Sequence, residues 1–139
     1  LWNAMIAPLT RSAIRGVVWY QGESNSDRAW QYRDLLRSMI TGWRHAWGNA
    51  ELPVIIAQLP EYETDCCPYD YQDFGAWEVL RESQMVAASL PHTGLTVMLG
   101  LGEPRDIHPK AKWQVGERLG RTALALGDRR GCFESVHED

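Results

Sequence analysis

An apolar, β-branched run ends abruptly in a dense cluster of polar side chains in the stretch Gly16-Val17-Val18-Trp19-Tyr20-Gln21-Gly22-Glu23-Ser24-Asn25. The apolar part is typical of a strand that is covered on both faces. In open α/β sheets, ligands bind beyond the carboxyl ends of the strands, which is where the polar part of this stretch falls. The stretch therefore predicts a buried strand that ends at a functional site.

Two further apolar runs follow, separated by longer segments in which apolar residues recur three and four positions apart. The second and third strands are predicted over Pro53 to Leu59 and over Leu95 to Leu101. The predicted helices run from Ser26 or Asp27 to Trp47, from Ala76 to Leu90 and from Pro109 to Leu126, and an amphipathic segment, Trp2 to Ile14, precedes them. This alternation predicts parallel strands that are joined by helices.

The carboxyl ends of parallel strands lie at the same edge of a sheet. Three segments that are far apart in sequence, 21–25, 58–61 and 102–108, should therefore lie close together. Three strands are few for a doubly wound sheet, which has about five or six. The sequence thus predicts an incomplete α/β sheet that lacks strands on its amino-terminal side.

Composition argues against several classes of partner. The 139-residue chain carries 14 Lys and Arg against 18 Asp and Glu, a formal net charge of −4, and its basic residues do not cluster. Nucleic-acid binding needs a basic face, so we do not expect that partner. No apolar run approaches the roughly 20 residues of a membrane span. The three cysteines and four histidines lack the close spacing of zinc ligands, so no metal is expected either.

His108 is the strongest candidate for a catalytic residue. An imidazole can act as a general base near neutral pH, and Asp106 is close enough in sequence to fix its tautomer. The alternative is a loop histidine that caps a helix. At the tip of the first strand, the Gln21 amide is suited to hold a developing oxyanion, although a buried, hydrogen-bonded glutamine is an equally good interpretation.

Ser24 is a weaker candidate for a nucleophile. Its surroundings begin like a Gly-x-Ser-x-Gly elbow, but Ser26 stands where the second glycine would give the turn its room. A turn or capping hydroxyl is therefore the favoured interpretation. The segment from Pro60 to Gly75 is an acidic, aromatic loop, long for a compact domain, whose rings could stack on a sugar.

Two segments carry a family resemblance, Trp19-Tyr20-Gln21-Gly22-Glu23-Ser24-Asn25 and Asp106-Ile107-His108-Pro109-Lys110. In this order they resemble the third and fifth blocks of the sialate O-acetylesterase group within the SGNH (GDSL-like) hydrolases. Further segments resemble that group at similar spacing as far as about Gly127, namely Leu1-Trp2-Asn3-Ala4-Met5-Ile6-Ala7-Pro8-Leu9, Tyr32-Arg33, Trp43-Arg44, Gln58-Leu59 and Leu80-Arg81-Glu82.

The resemblance implies a flavodoxin-like, three-layer α/β/α fold and hydrolysis of O-acetyl esters on sialic acid or another glycan, without metal or cofactor. It implies that His108 is the general base, that Asp106 is its partner and that Gln21 belongs to the oxyanion site. The residues expected to bind the acetylated carbohydrate are Gly22, Glu23, Asn25 and Gln58. It also implies a secreted or periplasmic location.

The sequence departs from the family pattern at two points. The wider superfamily spaces its acid and histidine as Asp-x-x-His, but Arg105 occupies the position three before His108. Nothing in the chain matches the family's early Gly-Gln-Ser-Asn-like block, which carries the nucleophilic serine. We therefore expect residues 1–127 to form the carboxyl-terminal part of an esterase domain that is inactive without that block, and residues 128–139 to form a polar tail.

The sequence is also compatible with two other functions. The strand-tip cluster and the aromatic loop could belong to a non-catalytic carbohydrate-binding module, which would hold a glycan without breaking a bond. The chain could also be catalytic by itself through Ser24 and His108. Sugar binding by the isolated chain would indicate the first alternative, and a covalent adduct on Ser24 the second.

Overall fold

The computed structural model describes residues 2–62 and 76–134, with side chains described as far as residue 127. In this part of the chain the sheet has three strands, β1 (Val17–Trp19), β2 (Val54–Ala57) and β3 (Thr93–Thr96), ordered β1-β2-β3. Both pairings are parallel. The expected parallel α/β sheet is confirmed.

Helices cover both faces of the sheet. Helices α1 (Ala29–Ala46) and α2 (Ala76–Ala87) pack on the face to which Val54 and Ile56 point. Helix α3 (Lys112–Glu134) packs on the opposite face, where Ala57 shares a cluster with Val115. The alternation of side chains along β2 therefore separates two cores, and the expected three-layer α/β/α arrangement is confirmed.

Gly94 allows α3 to lie directly on β3. A Cβ atom at this position would stand 2.8 Å from Cγ2 of Thr122 and 2.9 Å from Cδ1 of Leu126. The Thr96 hydroxyl, one pleat further along the same face, donates to the Thr122 hydroxyl at 2.8 Å. A side chain at residue 94 would therefore force the side chains of Thr122 and Leu126, or α3 itself, to shift.

Arg44 ties α1 to the loops that lead into β2 and β3. The residue is 7% exposed, and its guanidinium donates to the carbonyl oxygens of Leu52 at 3.0 Å, Pro91 at 2.7 Å and His92 at 3.0 Å. A fourth contact reaches the Thr93 hydroxyl at 3.1 Å. Burial lowers the pKa of Arg44, but the guanidinium stays protonated because its ordinary value is so high.

Strand β3 differs from the sequence prediction, which placed it over Leu95 to Leu101. The strand ends at Thr96, and Val97 and Leu99 are 45% and 47% exposed. The chain then turns at Gly100, whose φ is +79°. The apolar run misled the prediction because it continues into a loop, which α3 holds through Arg118 bonds to the carbonyls of residues 97 and 99.

Helix boundaries also differ from the prediction. A 3₁₀ turn, Glu23–Arg28, precedes α1, and α2 ends at Ala87 rather than Leu90. Helix α3 begins at Lys112 rather than Pro109 and continues past Gly127 to Glu134. Gly127 did not end α3 because an isolated glycine weakens a helix by only about 1 kcal/mol when no proline follows. Segment 2–14 forms a short π-helical turn and a 3₁₀ turn instead of a single helix.

Strand β1 lies at one edge of the sheet within the described residues. Val18 pairs with Ile55 and points to the face that α3 covers elsewhere, yet it is 54% exposed. The fold therefore leaves both an edge and an apolar position of β1 uncovered.

Among the described residues, no helix combines the length and apolar character needed to cross a bilayer.

Candidate active site

Gln21 lies directly beyond β1 and forms hydrogen bonds with Tyr32 and Asn25. The hydroxyl of Tyr32, from the first turn of α1, is 2.9 Å from its carbonyl oxygen and 3.0 Å from its Oε1. Its Nε2 donates to Oδ1 of Asn25 at 3.1 Å. Both the backbone and the side-chain amide of Gln21 are therefore fixed at the edge where the sequence predicts the site.

Gly22 makes the sharp turn after Gln21 possible. Its φ is +149°, a conformation that residues with a Cβ rarely adopt, and a Cβ would stand 3.4 Å from both Leu59 and Tyr32. The turn closes through a 2.8 Å hydrogen bond from the Asn25 N–H to the Gly22 carbonyl. Glu23 then opens the 3₁₀ turn that leads into α1.

A buried glutamine of α2 joins the ends of β1 and β2. Gln84 is 0% exposed, and its Oε1 accepts the Leu59 N–H at 2.9 Å. Its Nε2 lies 3.2 Å from the Gln21 carbonyl oxygen. Gln58, predicted to bind substrate, is itself 3% exposed and donates to the Arg81 carbonyl of α2 at 3.2 Å. Gln58 therefore lies beneath the strand end rather than on its surface.

Glu61 connects the end of β2 to the loop after β3. Its two carboxylate oxygens accept the Gly100 N–H at 2.9 and 3.0 Å. Gly102 passes so close that a Cβ would stand 2.1 Å from the Glu61 carbonyl oxygen. This approach requires glycine, and it brings together the segments predicted to meet at 58–61 and 102–108.

His108 and Asp106 form a pair in that same loop. The His108 Nδ1 is 3.5 Å from the Asp106 Oδ1, which also accepts the His108 N–H at 2.9 Å. That backbone bond, with the charges of His108 and Lys110, holds the pKa of Asp106 below its ordinary value. The carboxylate thus stays ionised at neutral pH, and the imidazole side chain is 82% exposed and open to a reacting group.

The loop of His108 lies against the end of β1. Lys112, at the start of α3, places its ammonium group 5.5 Å from the ring centre of Tyr20. Ile107 packs against the core cluster that contains Leu59. Beside the pair is an open cavity of about 430 Å³, lined by Glu103, Pro104, Arg105, Asp106 and Lys110. The predicted meeting of segments 58–61 and 102–108 is therefore observed, and α3 begins beside the end of β1.

Comparison with known proteins agrees with this geometry. Residues 1–125 match the family described as "Carbohydrate esterase, sialic acid-specific acetylesterase". The chain belongs to this family. It is 31% identical to the sialate O-acetylesterase of Rattus norvegicus and 33% identical to that of Homo sapiens, over 96% of its own length and 28% of theirs.

A solved structure gives the same result at the level of the fold. A crystal structure of a carbohydrate acetylesterase from Xanthomonas citri superposes with a TM-score of 0.82 and 39% identity. The match covers 90% of this chain and 29% of the other. This member of the acetylesterase family thus spans under a third of the length of these relatives.

Three residues that organise the candidate site were not identified from the sequence, namely Tyr32, Gln84 and Glu61. Tyr32 and Gln84 lie within predicted helices and Glu61 lies within the segment predicted as an acidic loop, so none was singled out. Most of that loop lies outside the described residues. Among the residues that are described, no group of His, Cys, Asp and Glu could hold a metal ion.

Glu61 should make the stability of the loop after β3 depend on pH. Backbone N–H groups, its own first and then those of Gly100 and Gly102, lower the pKa of Glu61 from its ordinary value of 4.5. A carboxylate with a lowered folded-state pKa stabilises the fold above its unfolded pKa and loses that effect as pH falls through the folded value. In urea unfolding, Glu61→Gln should therefore be less stable than the wild type at pH 7, with the difference shrinking toward pH 3.

Glu82→Gln is the matched control, because the side-chain partner of Glu82 among the described residues is Arg33, in an exposed ion pair at 3.3 Å. Exposed pairs contribute about 0–1 kcal/mol, so this variant should stay close to wild type at both pH values. A Glu61→Gln deficit of equal size at pH 7 and pH 3 would contradict the assigned role of the carboxylate.

Proposed function

We propose that this chain is the carboxyl-terminal part of the catalytic domain of a carbohydrate O-acetylesterase, with the contributing segment spanning residues 1–127. The observation that carries the proposal is the Asp106–His108 pair, which lies in the loop between β3 and α3, while Lys112 of α3 contacts Tyr20, the residue before Gln21. Family membership supports the reaction class. The substrate class is an acetylated sugar, either sialic acid or another acetylated glycan.

In the proposed reaction, His108 accepts the proton of a serine hydroxyl while the serine oxygen attacks the acetyl carbonyl. The sugar oxygen leaves with that proton, and an acetyl-enzyme ester forms. His108 then activates water, which releases acetate and restores the serine. Asp106 holds the imidazole in the tautomer that has a proton on Nδ1, and its lowered pKa keeps the carboxylate available as the acceptor.

The turn after β1 would stabilise the negative oxygen of the tetrahedral intermediate. The Gln21 Nε2 carries one N–H that bonds Asn25 and one that has no acceptor among the described residues. Glu23 and Asn25 form the adjoining wall for the sugar, and the buried Gly22 and Gln58 support it from below. Preorganised donors of this type stabilise an oxyanion because they need no reorganisation during the reaction.

The nucleophile in this proposal lies outside residues 1–139. Ser24 is exposed in the 3₁₀ turn and forms none of the hydrogen bonds that join Gln21, Tyr32 and Asn25. In support of further strands, β1 has an unpaired edge within the described residues and the exposed apolar side chain of Val18. The region that would supply the serine can pair there.

A fluorophosphonate probe tests this assignment directly. The enzyme that contains this chain should release acetate from an acetylated sugar, and the probe should block release and label one serine outside residues 1–139, as located by peptide mass spectrometry. Labelling of Ser24 would instead place the nucleophile in this chain. Calorimetry on acetylated and deacetylated glycans completes the test, because sugar binding without acetate release would identify a binding module.

A further inference from the structure

Tyr32 lies beneath the end of β1 in a position that decides which way the Gln21 amide faces. The residue is 3% exposed, and its hydroxyl accepts the Trp19 indole N–H at 3.2 Å. Its own proton can therefore go only to the two oxygens of Gln21 that lie at 2.9 and 3.0 Å. Burial raises the pKa of Tyr32 to about 12, so the hydroxyl keeps that proton throughout the working range of pH.

The opposite end of the amide is fixed as well. With Oε1 facing Tyr32, Nε2 faces Asn25 and donates one hydrogen to its Oδ1 at 3.1 Å. The second hydrogen has no acceptor in the described part of the chain, and Gln21 is only half-buried. One oriented N–H is thus left available at the carboxyl edge of the sheet.

We propose that Tyr32 is a positioning residue that holds the Gln21 amide with Nε2 toward the reacting acetyl group. This inference rests on the proposed function, because it assumes that Gln21 binds the oxyanion. An amide released from Tyr32 can rotate and present Oε1, whose negative partial charge repels an oxyanion. The carbonyl oxygen of the ground-state ester carries much less negative charge than the oxyanion. The loss of stabilisation should therefore lower kcat and leave KM unchanged.

A double-mutant cycle separates this role from a structural one. Kinetics are measured on the enzyme that contains this chain, as wild type, Tyr32→Phe, Gln21→Ala and both together. One oxyanion donor contributes about 10²- to 10³-fold to kcat, so Gln21→Ala should fall in that range and Tyr32→Phe about tenfold or more, with KM unchanged. In the Gln21→Ala background, Tyr32→Phe should have no further effect.

Tyr20→Phe is the matched control, since it makes the same chemical change one residue before Gln21. The Tyr20 hydroxyl is buried without a hydrogen-bond partner among the described residues, so its removal should leave kcat unchanged. Circular dichroism confirms that each variant is folded. Should Tyr32→Phe not fold, Asn25→Ala releases the amide from its other end and should lower kcat only when Gln21 is present.

Two results would overturn the positioning role of Tyr32 and leave the proposed function standing. The first is a wild-type kcat in Tyr32→Phe. The second is an equal loss of kcat on Tyr32→Phe in the wild type and in Gln21→Ala, which would mark Tyr32 as a structural residue. A wild-type kcat in Gln21→Ala would instead remove the oxyanion role of Gln21 and this inference with it. The cycle therefore distinguishes failure of the positioning role from failure of the proposed function.

Discussion

His108→Ala should lower kcat of the enzyme that contains this chain by about 10³-fold or more while leaving its fold intact. Alanine cannot take the proton from the attacking hydroxyl or return it to the leaving sugar oxygen. The side chain is 82% exposed, so its removal creates no cavity in the core. Acetate release gives kcat, and thermal unfolding by circular dichroism reports the fold.

His45→Ala is the control for this experiment. His45 is exposed in the last turn of α1, at the opposite end of the helix from Tyr32, and its loss should change neither kcat nor stability. If His108→Ala turned over at the wild-type rate, the assignment of His108 as the base would be wrong. Inactivity in both variants would point to a general loss of structure, which the unfolding curves would reveal.

Much of the fold could be predicted because it follows from patterns that are local in sequence. The apolar runs predicted β1 and β2, and the alternation with helices predicted a parallel sheet. The prediction was wrong at β3 because periodicity cannot distinguish a buried strand from an apolar loop that a helix holds in place. The Arg118 bonds that hold residues 97 and 99 come from α3, about twenty residues away.

The candidate site likewise contains residues that local sequence patterns indicate and residues that they do not. Gln21 and His108 could be proposed as site residues because strand tips and a neighbouring carboxylate are visible in the sequence. Tyr32, Gln84 and Glu61 could not, since each acts on residues that the chain brings to it only after folding. Gln84, for example, bonds the Gln21 carbonyl from 63 positions away. A polar residue within an apolar helical stripe is the signal that could have drawn attention to it.

Gln84→Leu should lower the free energy of unfolding by about 2 to 3 kcal/mol and also reduce kcat, because this glutamine joins two strand ends. Leucine has a similar volume but leaves the buried Leu59 N–H without its acceptor. The Gln21 carbonyl also loses one of its two donors. Urea unfolding measures the first effect, and acetate release by the complete enzyme the second.

Gln114→Leu provides the control, because Gln114 is exposed on α3 and its replacement should leave stability within about 0.5 kcal/mol of wild type. If Gln84→Leu and Gln114→Leu unfolded at the same urea concentration, the bridge between β1 and β2 would have no energetic role.

Gln84→Glu tests the direction of the hydrogen bonds that Gln84 forms with the Leu59 N–H and the Gln21 carbonyl. A glutamate keeps the acceptor for Leu59 but, when ionised, turns a second oxygen toward the carbonyls of Gln21 and Ala57. Burial and these carbonyl oxygens should raise the pKa of that glutamate. Only its protonated form can donate a hydrogen bond to the Gln21 carbonyl. A raised folded-state pKa means that stability is present at low pH and lost as pH rises through it. Gln84→Glu should therefore approach wild-type stability near pH 4, below the ordinary pKa of a glutamate, and be less stable than Gln84→Leu at pH 8, because only the glutamate then buries an unpaired charge.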